Sequence, residues 1–124
     1  GALNSFGETF NFEGKKFNSK MRYTTIGTSL NYLVESKILE VPDYIKIDVD
    51  GNEHIILEGA NKFLSNKKIK SLSIEINENF SKQYNKVLKI MSKNGFRMLN
   101  KSHAQKNLNK QSKFYKSFNY IFIR

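Results

Sequence analysis

Carboxylates cluster where a strand-like segment gives way to a helical one. Asp48, Asp50 and Glu53 fall within six positions, and Glu75 and Glu78 lie at the end of the next strand-like segment. Carboxylates in such a position could bind a hard metal ion through oxygen, accept a proton from a substrate hydroxyl, or orient a cofactor amine. The residue types alone leave these three uses open.

Helix capping is the simpler explanation for part of this group. Asp50 and Glu53 are three residues apart at the start of a helical pattern, which matches a capping box. Asp48 lies before the turn, too far back to cap the helix. It shares the alternating face of its strand with Lys46, which favours a structural ion pair for that lysine. Asp48 and Glu75 are therefore the candidate catalytic residues.

Alternating and helical periodicities define the elements that must position these carboxylates. Ile45, Ile47 and Val49 alternate with polar residues, and helical stripes flank the two clearest strands. We predict an irregular lead-in over 1–25, a helix over about 29–38 capped by Thr28, a strand over 44–50, a helix after Gly51, a strand over 69–77, a helix from Ser81 to Gly95, and strands over 96–99 and 118–124.

The order of these elements predicts an α/β fold with a mostly parallel sheet and right-handed crossovers, in a single domain over 1–124. The connection before the last strand has no helical pattern, so we expect that strand to run antiparallel. Asp48 and Glu75 each close a parallel strand, so we expect them at the same edge of the sheet.

Composition excludes several classes of protein. The 124 residues contain no cysteine and carry a net charge of +10, mostly from dispersed lysines. This distribution does not favour nucleic-acid binding, no apolar run suggests a membrane span, and the lack of cysteine fits the cytoplasm. There is no glycine-rich phosphate loop and no paired-histidine metal motif, so we predict no metal site. His54 and His103 are expected to be solvated.

The segment "PDYIKIDVDGNEHIILEGANKFL", followed by "IKSLSIEIN", resembles the FkbM-type family of S-adenosylmethionine-dependent methyltransferases. The matching positions are Lys46, Asp48, Asp50, Gly51, Glu53, Leu57, Gly59, Ala60 and Glu75. The resemblance implies part of a class I methyltransferase (Rossmann-like) sheet and S-adenosylmethionine as cofactor. It also implies O-methylation of a hydroxyl on a sugar or secondary metabolite, so that the expected substrate is a small molecule or a glycan.

One departure from the family pattern concerns the cofactor. No apolar strand with a glycine-rich turn precedes Pro42, and no acidic residue closes such a second strand. The chain therefore resembles the C-terminal part of a methyltransferase, its cofactor-binding residues are unassigned, and we expect it to be inactive by itself. The alternative is a non-catalytic binding domain that keeps the fold. We also expect the strand over 44–50 to self-associate, unless the segment 1–25 covers its edge.

Overall fold

The computed structural model describes residues 11, 13–16, 21, 23–104, 109–112 and 114–124. Its α-helices are α1 (Leu30–Glu35), α2 (Glu53–Glu58) and α3 (Ser81–Lys93), with a 3₁₀ helix at Phe63–Ser65. Its strands are β1 (Tyr44–Ile47), β2 (Ser71–Asn77), β3 (Arg97–His103) and β4 (Ser117–Ile123). The predicted sequence of elements is therefore present, with shorter first helix and first strand than expected. The lead-in predicted over 1–25 lies mostly outside the described residues.

The four strands form one sheet in the order β1-β2-β4-β3. β1 pairs with β2 in parallel, and β4 pairs antiparallel with both β2 and β3. The expected antiparallel last strand is confirmed. Three of the four strands point the same way, as expected for a mostly parallel sheet, but β4 inserts between two of them, so that two of the three pairings are antiparallel. The chain can reverse direction there because the described residues between β3 and β4 form turns and no crossover helix.

The hydrophobic core lies on one face of the sheet. Alternate residues of β2 and β4 point to this face and meet the apolar sides of α2 and α3. Fully buried members include Leu57, Leu72, Ile74, Ile76 and Val87. The opposite face of β2 carries Ser71, Ser73 and Glu75, which are half-buried. The helices therefore cover one face, and the candidate site residues lie on the other.

The ends of the helices differ in detail from the predictions. Ser29, and not Thr28, caps α1, because its Oγ accepts a hydrogen bond from the backbone N–H of Tyr32 at 3.2 Å. Ser81 is the first residue of α3 and follows the N-cap Phe80, which makes no side-chain capping bond. Gly95 follows the end of α3 with a φ of 79°, as the prediction requires.

β1 ends at Ile47, three residues before the predicted end, because the chain turns directly afterwards. Asp50 has a φ of 55° and Gly51 a φ of 118°, and neither conformation continues a strand. In the part of the chain that the structure describes, no helix has the length and apolar character needed to cross a bilayer.

Candidate functional site

Asp48 and Glu75 lie side by side at the carboxyl edge of the β1–β2 pair. Ile47 is the register partner of Ile74, so the next position along β1 and β2 brings Asp48 beside Glu75. Both side chains lie on the sheet face that the helices leave uncovered. Lys46 and Ser73, two residues earlier on β1 and β2, are register partners on that same face. The structure thus places the two sequence-predicted residues at one edge, as expected.

The environment of Glu75 increases its affinity for a proton. Partial burial raises the pKa of Glu75, and the negative charge of Asp48 raises it further. Lys46 acts in the opposite direction but does not cancel these effects. A carboxyl group with a raised pKa binds a proton more tightly, so Glu75 is a stronger base than a solvated glutamate.

Lys46 connects the edge of the sheet to β4. Its Nζ lies 3.3 Å from Oδ2 of Asp48 and donates a hydrogen bond of 2.6 Å to Oδ1 of Asn119. The side chains of Lys46 and Asp48 are about half exposed, so solvent weakens the ion pair. Lys46 therefore orients Asp48 but neutralises the site only in part.

Glu53 does not act as one half of a capping box with Asp50. Asn52 is the N-cap of α2, and Asp50 lies in the left-handed turn. The Glu53 side chain is 2% exposed and accepts hydrogen bonds from the backbone N–H groups of Val49 and Gly51, each at 3.1 Å. Its carboxylate therefore fixes the turn that follows β1, and burial raises the pKa of Glu53 while these bonds oppose the rise.

Gln83 on α3 is a site residue that sequence reasoning missed. Its side-chain amide donates a short hydrogen bond to Glu53, and its Oε1 accepts one from the backbone N–H of Asn77 at 3.4 Å. One buried glutamine thus ties the loop after β1 to the end of β2. No local pattern distinguishes Gln83 from the exposed polar residues of α3, so only the packing reveals it.

Asn77, at the end of β2, is a second candidate. Its side chain is 4% exposed, and Oδ1 accepts a hydrogen bond from the backbone N–H of Asn79 at 3.0 Å. Its Nδ2 is buried and has no hydrogen-bond partner in the described structure. Burying an amide donor without a partner is unfavourable, so Nδ2 of Asn77 is a candidate donor to a ligand oxygen at this edge.

Glu78 and Glu75 are three positions apart in sequence, but their side chains lie in different surroundings. Glu78 accepts short hydrogen bonds from Tyr120 and Lys101, and Tyr120 belongs to the core. Burial opposes the change, but these bonds lower the pKa of Glu78 below its ordinary value. Glu78 therefore joins β4 to β3 and is not part of the Asp48–Glu75 pair.

The histidines do not join the carboxylates in a metal site. His54 was expected to be solvated, but it is 3% exposed and its ring meets the ring of Phe80 edge to face. His103 is exposed, and its ring lies 4.5 Å from that of Phe118. Among the described residues, no group of three or more potential ligands is arranged to bind a metal ion.

The chain matches a known family over most of its length. Residues 4–98 match the family model described as the methyltransferase FkbM domain. The chain belongs to the FkbM methyltransferase family. The matched region includes Asp48, Glu75, Asn77 and Gln83, so the whole carboxyl edge described above lies inside the FkbM domain. No curated protein and no solved structure matches the chain.

Proposed function

We propose that this FkbM domain transfers a methyl group from S-adenosylmethionine to a hydroxyl group of a small molecule or glycan, such as a sugar or a secondary metabolite. The observation that carries the proposal is the pairing of Asp48 with Glu75 at the carboxyl edge, because ligands of open α/β sheets bind at that edge. The four-stranded mixed sheet is compatible with part of a class I methyltransferase sheet.

The described residues fit one end of S-adenosylmethionine. The cofactor carries a positive charge on sulfur and polar groups around it. Asp48 and Glu75 supply negative charge at the edge, which Lys46 offsets only in part. Asn77 adds the buried amide donor that lacks an acceptor among the described residues. Asp48, Glu75 and Asn77 would therefore hold the cofactor and the acceptor hydroxyl close together.

When bound, S-adenosylmethionine supplies a methyl group that an oxygen nucleophile can take. In our proposal the residues of this chain position the acceptor and take its proton. Glu75 is a stronger proton acceptor than a solvated glutamate, because burial and the charge of Asp48 raise its pKa. Asp48, held by Lys46, orients the acceptor hydroxyl toward Glu75. Gln83 and Glu53 keep the two strand ends in place during the transfer.

Methyl transfer from isotopically labelled S-adenosylmethionine tests the proposal. The assay should use the full-length product of the coding region with a panel of sugars and small hydroxyl compounds. Asp48→Asn is expected to lower kcat/KM by on the order of 100-fold or more, since it removes a carboxylate that acts directly on the acceptor. Asp43→Asn is the matched control: Asp43 immediately precedes β1 at its opposite end and pairs with Lys70, so activity should be retained.

Thermal unfolding of both variants separates a catalytic effect from loss of the fold. If the wild-type protein transfers no methyl group to any acceptor in the panel, the binding-domain alternative replaces the proposal. Equal activities of Asp48→Asn and wild type would remove Asp48 from the site while leaving the transferase activity standing.

A further inference from the structure

Lysines are dispersed along the sequence, but four of them lie together on the solvent side of α3. They recur at positions i, i+4, i+7 and i+11 and form what we call the lysine row: Lys82, Lys86, Lys89 and Lys93. At 3.6 residues per turn, this spacing keeps all four within an arc of about 60° and makes the row about 17 Å long. The buried side of α3 carries Gln83, Val87 and Met91 instead.

The charge of the lysine row is offset only in part. α3 contains no acidic residue, and like charges three or four positions apart on a helix repel each other. Lys86 forms an ion pair of 2.7 Å with Glu58 of α2, and both side chains are about half exposed. Lys89 and Lys93 take part in no ion pair within the part of the chain that the structure describes. The row is therefore a concentrated positive charge on the surface.

The lysine row begins at the edge of the sheet that carries the candidate site. α3 follows the end of β2 after a loop of three residues. Lys82 precedes Gln83, whose Oε1 accepts a hydrogen bond of 3.4 Å from the backbone N–H of Asn77. β2 and β3 both run antiparallel to β4, so α3 must lead the chain back from the carboxyl edge to the amino edge. A polymer bound along the row would therefore extend away from the site.

The surroundings of the row favour an acidic glycan over a membrane or a nucleic acid. An interfacial helix inserts its apolar side into a membrane, but that side of α3 is packed in the core, where Val87 and Met91 are fully buried. Asn85 and Ser92 lie exposed beside the row and offer no aromatic ring on which a base could stack. Their amide and hydroxyl groups can hydrogen bond with sugar hydroxyls.

We propose that the lysine row binds a linear acidic glycan and thereby selects such a glycan as the acceptor substrate. The glycan carries carboxylate or sulfate groups along its chain, which pair with the ammonium groups of the row. Exposed ion pairs are individually weak, so binding depends on several of them along one chain. The role of the glycan as acceptor rests on the methyl transfer proposed above, but its binding does not.

Titration of the full-length product of the coding region with polygalacturonate and with dextran sulfate tests the proposal. The calorimetric Kd is measured without S-adenosylmethionine, so it does not depend on methyl transfer. The row variant combines four substitutions: Lys82→Gln, Lys86→Gln, Lys89→Gln and Lys93→Gln. We expect its Kd for one or both polymers to rise by on the order of tenfold or more, because several ion pairs are lost together. The polymer that loses affinity identifies the anionic group.

A control variant of equal charge separates the row from the net charge of the protein. It combines substitutions of exposed lysines elsewhere: Lys37→Gln, Lys67→Gln, Lys68→Gln and Lys110→Gln. Each variant removes four positive charges from a chain of net charge +10, so general attraction to a polyanion falls equally. The control should keep a Kd close to that of the wild type. Glutamine and lysine have similar helix propensities, so the row variant should stay folded, which circular dichroism checks.

Vesicles containing phosphatidylserine and single-stranded DNA are the competing probes. Equal losses of glycan affinity in the two variants would overturn the proposal, as would a wild type that binds neither glycan polymer. A larger loss of affinity for vesicles or DNA than for the glycans would overturn the choice of a glycan.

The labelling assay tests the role of the glycan as acceptor. The row variant should show a higher KM for the bound polymer with an unchanged kcat, since the row lies outside the reacting groups. An unchanged KM would overturn this role. Absence of methyl transfer to every acceptor would contradict only the function proposed above, because the row-dependent binding is measured separately.

Discussion

Glu75 makes folding depend on pH in a direction opposite to that of an ordinary salt-bridged carboxylate. Its pKa is raised above the ordinary 4.5 by burial and by Asp48, so the folded state binds its proton more tightly than the unfolded state does. The stabilisation is complete below pH 4.5 and is lost as pH rises through the folded-state pKa. We therefore expect Glu75→Gln to gain stability relative to wild type as the pH rises above 4.5, measured by urea unfolding at several pH values.

Asp43 provides a control of opposite sign. The hydrogen bond and charge of Lys70 lower the pKa of Asp43, so its contribution is present at neutral pH and is lost on acidification. Asp43→Asn should thus become less stable relative to wild type as pH rises through the titration of Asp43. A Glu75→Gln difference that is flat with pH would contradict the burial effect assigned to Glu75.

Asp50 and Glu53 show that one residue pattern can be compatible with two different backbone conformations. The three-residue spacing matched a capping box, but Asp50 has a φ of 55° and Glu53 is directed to the turn before α2. Both uses need the same residue types at the same spacing, so the sequence could not separate them. Asp48 and Glu75 were predictable because strand alternation and parallel pairing alone bring them together.

The left-handed backbone of Asp50 gives a prediction that differs from capping. Asp50→Ala is expected to cost about 1 kcal/mol of unfolding free energy, because alanine disfavours a positive φ. Asp50→Gly should cost less than Asp50→Ala, and Asp50→Asn should be close to neutral, since glycine and asparagine tolerate this conformation. Chemical denaturation measures all three. Equal losses for Gly and Ala would contradict the backbone explanation.

At the scale of elements, periodicity predicted the strands and helices that bury one face. β2 and α3 were found close to their predicted positions because buried and exposed residues alternate with the matching period. β3 was predicted to end at residue 99, but it continues to His103 with every residue exposed. The length of β3 is set by its hydrogen bonds to β4. These bonds leave no hydrophobic pattern in the sequence, so the length could not be predicted.

Gln83 joins elements that are distant in sequence, so replacing it should lower the free energy of unfolding. Gln83→Ala removes the side-chain donor to the buried Glu53 carboxylate and the acceptor for the N–H of Asn77. We expect a loss of about 1–3 kcal/mol in the free energy of unfolding, since buried polar groups lose their partners. Lys89→Ala, at an exposed position of the same helix, should stay within about 0.5 kcal/mol. Similar small losses for both variants would contradict the network.

At the scale of the whole molecule, the sheet has one face packed by helices and one face carrying the site. The sequence predicted the α/β class and the shared edge of Asp48 and Glu75. It could not predict that β4 would insert between β2 and β3, because two strands with alternating patterns can pair in several orders. The hydrogen bond from Lys46 to Asn119 on β4 depends on that insertion, so it could not be predicted from the sequence either.

The last prediction concerns how much of the cofactor this chain can bind. In the proposed arrangement, Asp48, Glu75 and Asn77 would contact at most one end of S-adenosylmethionine, while the glycine-rich turn and ribose-binding acid implied by the family resemblance have no counterpart before Pro42. Binding must offset the loss of translational and rotational freedom, which a partial set of contacts cannot do. We expect calorimetric titration of the 124-residue chain to show no saturable micromolar isotherm. A longer product should show one if upstream sequence supplies those groups, and Asp48→Asn should weaken it. Saturable micromolar binding by the 124-residue chain would show that its own edge is sufficient.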